Sequence, residues 1–232
     1  MCGRYTLVSA PAVLEKVFGI GGWPTGFARY NIAPSQVVPV IRLGARGPEL
    51  AWLVWGLVPH WAKEAKTGYS MINARAETVE KKPAFRSAFR HQRCLVPADG
   101  FYEWKLTAGF KQPYYIGLKT GEPFAMAGLW EHWEGPDKAV IESFTIVVTQ
   151  ANDLLSPVHD RMPVIVPPAG HAMWLDAKAD VQSVRSLLAP FPSEAMRRYP
   201  VSPRVNNPKA DAPGLIGEIL VQGTRTAGQD PL

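Results

Sequence analysis

The stretch Cys94-Leu95-Val96-Pro97-Ala98-Asp99-Gly100-Phe101-Tyr102-Glu103-Trp104-Lys105 reads as a strand, a turn at Asp99-Gly100 and a second strand, since apolar residues run up to a turn dipeptide and resume beyond it. Further strands are predicted at Tyr114 to Leu118, Phe124 to Trp130 and Ser143 to Thr149, with Val140, Phe144 and Ile146 to Val148 expected in the core. Upstream, Val37 to Leu43 and Glu49 to Trp55 form a pair joined by Gly44-Ala45-Arg46-Gly47-Pro48, and Gly3 to Val8 alternate well enough for a short first strand that would carry Cys2 into the fold. The chain is therefore β-rich. Its helical signals are short. Ser9 to Phe18 has Ser9 as a cap, Pro11 in the first turn and Gly19 as the stop. A basic stretch with Lys81, Lys82, Arg86 and Arg90 reads as a solvated helical face, and Val181 to Leu188 as a covering helix. Gly21 to Ser35 and Tyr199 to Asn207 read as loops, and Asn152 to Val158 as a helical turn delivering His159-Asp160-Arg161-Met162-Pro163.

At 232 residues and 47% hydrophobic composition the chain can bury a real core, and it fits one domain of above-average size better than two small ones. That domain is expected over residues 1–223, followed by a small, polar, disordered tail at 224–232. The 25 Lys and Arg against 20 Asp and Glu leave a formal charge of +5, which permits an anionic partner without demanding one. Cys2 and Cys94 are the only cysteines, too few for a disulfide framework or a cysteine-rich zinc site. His60, His91, His132 and His171 show no ligand spacing, so neither metal nor cofactor is expected. No apolar leader opens the sequence and no run of 18 apolar residues interrupts it, so a cytoplasmic protein, nucleoid-associated if bacterial, with no membrane partner is the expectation.

Cys2 is small enough for Met1 to be removed, which would leave an α-amine and a thiol on adjacent carbons. Both groups titrate near 8, so both are partly nucleophilic at neutral pH. An aldehyde meeting the pair can condense with the amine to a Schiff base and then be closed by sulfur into a thiazolidine. Acid/base partners for such a condensation are available in Asn73, Glu103 and His159, although spacing does not bring them together. Glu103, between Tyr102 and Trp104, has a raised pKa if it faces inward and is an ordinary surface glutamate if it faces outward. His159 beside Asp160 is either a tuned proton donor or a hydrogen-bonded structural residue.

Met1-Cys-Gly-Arg-Tyr, Tyr30-Asn-Ile-Ala-Pro-Ser, Trp55-Gly-Leu-Val-Pro-His-Trp, Ile72-Asn-Ala-Arg-Ala-Glu-Thr, Cys94 to Lys105, His159-Asp-Arg-Met-Pro and Pro200-Val-Ser resemble, in order, the motifs of the SOS-response-associated peptidase family. The resemblance implies a single α+β domain with a β-rich, barrel-like mixed core covered by short helices. It also implies self-removal of Met1 and covalent shielding of abasic sites in single-stranded DNA through Cys2, in a monomer working in the DNA damage response. Carried over by position, Cys2 is the nucleophile, Asn73 positions the N-terminal amine, Glu103 serves acid/base steps, and His159 assists ring opening and reversal. Arg4, Asn31, Pro34, Trp55, Arg75 and Thr149 fall where the family contacts DNA. This chain departs from the pattern at Pro83, where a basic residue is usual, and leaves Lys82 and Arg86 as the flanking basic contacts. Read from the residues alone, an N-terminal-nucleophile amidohydrolase and a non-catalytic single-stranded-DNA binder stay open beside this function.

Overall fold

The computed structural model describes residues 2–107 and 109–220; Met1 and the tail expected from Thr224 onward lie outside the described residues. In chain order the elements are β1 (Tyr5–Leu7), α1 (Pro11–Phe18), β2 (Arg29–Ile32), β3 (Val37–Gly44), β4 (Gly47–Trp55), β5 (Asn73–Arg75), α2 (Arg86–His91), β6 (Arg93–Ala98), β7 (Gly100–Thr107), β8 (Phe110–Leu118), β9 (Phe124–Glu134), β10 (Val140–Gln150), β11 (Arg161–Pro163), β12 (Ile165–Val166), α3 (His171–Leu175), α4 (Val181–Ser186) and β13 (Met196–Pro200). The fold is α+β and single-domain, as the resemblance implies. Strands β3, β4, β10, β9 and β6 pair in a closed ring, because β10 bonds both to β4 and to β9. Closure leaves the ring no free edge. Beside it lies an antiparallel sheet in the order β13-β8-β7-β1-β2.

The residues that join these two layers are Asp99 and Gly100. β6 ends in the barrel at Ala98, Asp99 bends the chain, and β7 begins the second sheet at Gly100. The Asp99 carboxylate accepts the backbone N–H groups of Val8 and Ser9 at 2.6 and 3.0 Å and the Ser9 hydroxyl. Ser9 is thus engaged with Asp99. It is not the cap of α1, whose N-cap is Ala10 with Pro11 as first helical residue; Gly19 closes the helix in the left-handed region, φ 68°. Gly100 is required by proximity: a Cβ there would sit 2.3 Å from Tyr115 Cζ and 2.7 Å from the Ile116 carbonyl oxygen. Gly100→Ala is expected to lower stability by about 1–3 kcal/mol, the usual cost of overpacking, with a lowered thermal midpoint as the readout.

Other sequence expectations need correction. Residues 29–32 leave the predicted loop to pair with β1, Tyr5 facing Ile32. Val140 is exposed at the open end of β10, while Phe144 and Ile146 to Val148 are buried as expected. The predicted basic helix shortens to α2, because Thr78 to Phe85 turn without forming a regular helix.

Candidate active site

Tyr5 faces Phe101 across β1 and β7, and the Arg4 carbonyl accepts the Tyr102 N–H at 3.0 Å. Continuing that register sets Gly3 beside Glu103, so the start of the chain runs along β7 to its acidic residue. Cys2 is fully buried. Its thiol is pushed well above the ordinary range, first by burial and then by the negative charge of Glu103. Glu103 is itself buried, and that burial lifts its carboxyl to about 7. The inward-facing alternative for this residue is therefore the one the fold realises.

Glu103 shares a pocket of about 360 Å³ with His159, Trp104, Lys111 and Asn206. His159 Nδ1 accepts the Arg161 backbone N–H at 3.0 Å and lies 2.8 Å from the Asp160 carboxylate. Burial holds the imidazole pKa below its ordinary value, with Asp160 pulling the other way. Cys2, Glu103 and His159, 101 and 56 residues apart in sequence, are thus brought to one region of the fold. Asn73 lies on β5, where its Nδ2 donates to the Ile146 carbonyl at 3.5 Å and its buried Oδ1 has no hydrogen-bond partner among the described residues. Trp104, whose indole donates to Asn206 Oδ1 at 2.7 Å, and Lys111 were not singled out in the sequence. They reach the pocket only because the β7–β8 hairpin and the loop after β13 converge there, a long-range arrangement with no local signature.

The expected DNA contacts separate into two groups. Asn31 is buried and saturated: its Oδ1 accepts from Arg4 Nη1 at 2.9 Å, and its Nδ2 donates to the carbonyls of Val205, Asn207 and Ala210. Arg4 also donates to Val205 and Asn206 carbonyls. The two form a clasp between the N-terminal strands and the 205–210 loop, so the Asn31 side chain faces protein. Trp55 is buried too. Its ring is 1% exposed, packed at 5.3 Å from Tyr5 and 6.3 Å from Phe144, with Nε1 donating to Ile72 O. Trp61, in the same motif, is 53% exposed and lines a basic bowl of about 730 Å³ with His60, Lys81, Arg86, Arg90 and His91. Arg75, Lys82 and Arg86 are exposed, Pro34 is half-buried in the turn before β3, and Thr149 is buried on β10 opposite Met162.

Residues 1–208 match the family described as SOS response associated peptidase. The chain is 44% identical to the abasic site processing protein YoqW of Bacillus subtilis over 221 residues, covering 93% of this chain and 99% of that one. It is 42% identical to the abasic site processing protein YoaM of the same organism over 221 residues, covering 93% and 97%. A crystal structure of a protein from Bacteroides thetaiotaomicron superposes with a TM-score of 0.85 at 26% identity, over 94% of this chain and all of the other. By sequence and by fold, the chain belongs to the SOS response associated peptidase (SRAP) family.

Proposed function

We propose that this protein captures abasic sites in single-stranded DNA, condensing the sugar aldehyde with Cys2 after Met1 has been removed. The observation that carries the reading is that the residue next to Met1 in sequence is a buried cysteine at the start of a chain that runs along β7 to Glu103, whose carboxyl shares its pocket with His159. Relatives named abasic site processing proteins supply the substrate class. Removal of Met1 is hydrolysis of the Met1–Cys2 amide: water adds across it, methionine leaves, and the Cys2 amine is uncovered. Glu103, titrating near 7, can give and take the proton of that step.

An abasic deoxyribose is mostly a closed hemiacetal. His159, in the same pocket as Glu103, suits proton transfer to the ring oxygen while the C1′ hydroxyl gives its proton to water, so that the aldehyde opens. The amine then attacks C1′, water leaves, and an imine forms. The Cys2 thiol holds its proton firmly, so sulfur adds to the imine carbon as Glu103 takes the S–H proton and passes it to nitrogen. The C–S bond closes a thiazolidine and withdraws the imine that would promote strand scission. Exposed Arg75, Lys82 and Arg86 would hold phosphates without reading sequence, and Trp61 offers a stacking face.

Incubation with a single-stranded oligonucleotide carrying one abasic site is expected to give an adduct that survives denaturation. Cys2→Ala keeps an amine and loses the sulfur, so it is expected to give an adduct only when borohydride traps the imine. Absence of any wild-type adduct, or an equally stable adduct from Cys2→Ala without reductant, refutes the proposal.

A further inference from the structure

The β7–β8 hairpin continues past the pocket and ends in solvent. Leu106 and Phe110 near its turn are 70% and 48% exposed, although both are large and apolar. The register sets Leu106 opposite Lys111 and Thr107 opposite Phe110. Alternation then places Leu106 and Lys111 on the face of Trp104, and Phe110 with Lys105 on the face of Glu103. Each face of the tip therefore carries one apolar side chain and one ammonium. Lys111 itself lines the pocket, so this surface is continuous with the site. From Glu103 to Leu106 the strand advances roughly 10 Å, a distance that a neighbouring nucleotide spans.

Two apolar side chains are far too small a patch for a stable protein interface, which buries about 1,200 Å² or more. They suit a nucleobase, which has an apolar face and a phosphate beside it that draws a lysine. We propose that the Leu106 face of the hairpin tip is a binding site for the nucleotide next to the abasic one: Leu106 braces its base, and Lys111, opposite it on the same face, takes its phosphate. The inference rests on the abasic-site reading for the position of the strand, and it assigns a contact to residues outside the reacting groups.

The test uses Leu106→Ser, with Phe110→Ser on the opposite face as its control, and, separately, Lys111→Ala, with anisotropy of a labelled abasic 12-mer and crosslinking of a trinucleotide abasic at its centre. Leu106→Ser is expected to bind the 12-mer about fivefold to tenfold more weakly than wild type or Phe110→Ser, since loss of a stacking platform has an effect of that order. It should crosslink the trinucleotide at saturation at the wild-type rate and melt at the wild-type temperature. Lys111→Ala should flatten the plot of log affinity against log salt by about 0.7, one phosphate contact on a single strand. Unchanged 12-mer affinity in Leu106→Ser, an equal loss in Phe110→Ser, or equal loss of trinucleotide crosslinking overturns the proposal. If even wild type forms no crosslink, the capture reading fails, and the anisotropy comparison still decides whether the tip binds DNA.

Discussion

Glu103→Gln is expected to slow adduct formation about a hundredfold or more at pH 8, the usual range for loss of a general acid/base group, and at the same pH to make the folded protein more stable. Both effects come from one carboxyl held at about 7 by burial. In the folded chain the group keeps its proton up to that pH, whereas in the unfolded chain it loses it near 4.3. Between those values the unfolded state releases protons that the folded state retains, so the stability contributed by the protonated carboxyl is present at low pH and lost progressively as pH rises towards 7. The loss amounts to as much as about 3 kcal/mol. Glutamine has no proton to lose. Urea midpoints of wild type and variant should therefore coincide near pH 4 and diverge by pH 8 in favour of the variant. The wild-type adduct rate should bend near pH 7, and the variant's should not. Normal Met1 removal and normal adduct yield in Glu103→Gln, measured by intact mass, would remove Glu103 from the chemistry.

Trp55→Ala is expected to cost about 3–5 kcal/mol, the range for deleting a large buried aromatic, against a total stability that for domains of this kind is about 5–15 kcal/mol. The ring lies between Tyr5 and Phe144, and Trp55 is paired with Phe144 in the parallel β4–β10 joint that closes the barrel. Its loss opens a cavity at that joint and leaves the Ile72 carbonyl without the indole donor. Denaturant midpoints check this directly, with Trp61→Ala as the surface control, which should move stability by no more than about 0.5 kcal/mol. A Trp55→Ala protein with an unshifted midpoint would show that the ring does not support the barrel.

The strands were legible because period-two alternation and turn dipeptides are local signals: β3, β4, β6, β7 and β9 stand close to where those signals put them. Ring closure was not legible, since it depends on β10 pairing with β4 and β9 at once, and neither partner marks the other in sequence. Within the site, the raised carboxyl of Glu103 followed from its apolar neighbours once its facing was known. The two tryptophans of the Trp55-to-Trp61 motif meet different fates in the fold. Composition treats them alike, and only the tertiary fold decides that the first is packed inside and the second meets solvent. The burial of Asn31 was hidden for a related reason: the carbonyls its amide donates to lie 174 to 179 residues away, which no local pattern reveals.

The contact of Arg4 with Val205, 201 residues distant, also sets an order of events during synthesis. At about 5–20 residues per second a ribosome needs roughly 10–40 s to make the intervening chain. Throughout that interval the guanidinium has only the Asn31 side chain to hold, and the emerging first strand is open to a ribosome-associated aminopeptidase. Self-cleavage that draws on Glu103, by contrast, would have to wait until β7 has left the exit tunnel. A stalled chain ending before residue 103 that already lacks its initiator would therefore identify the cellular enzyme as the agent.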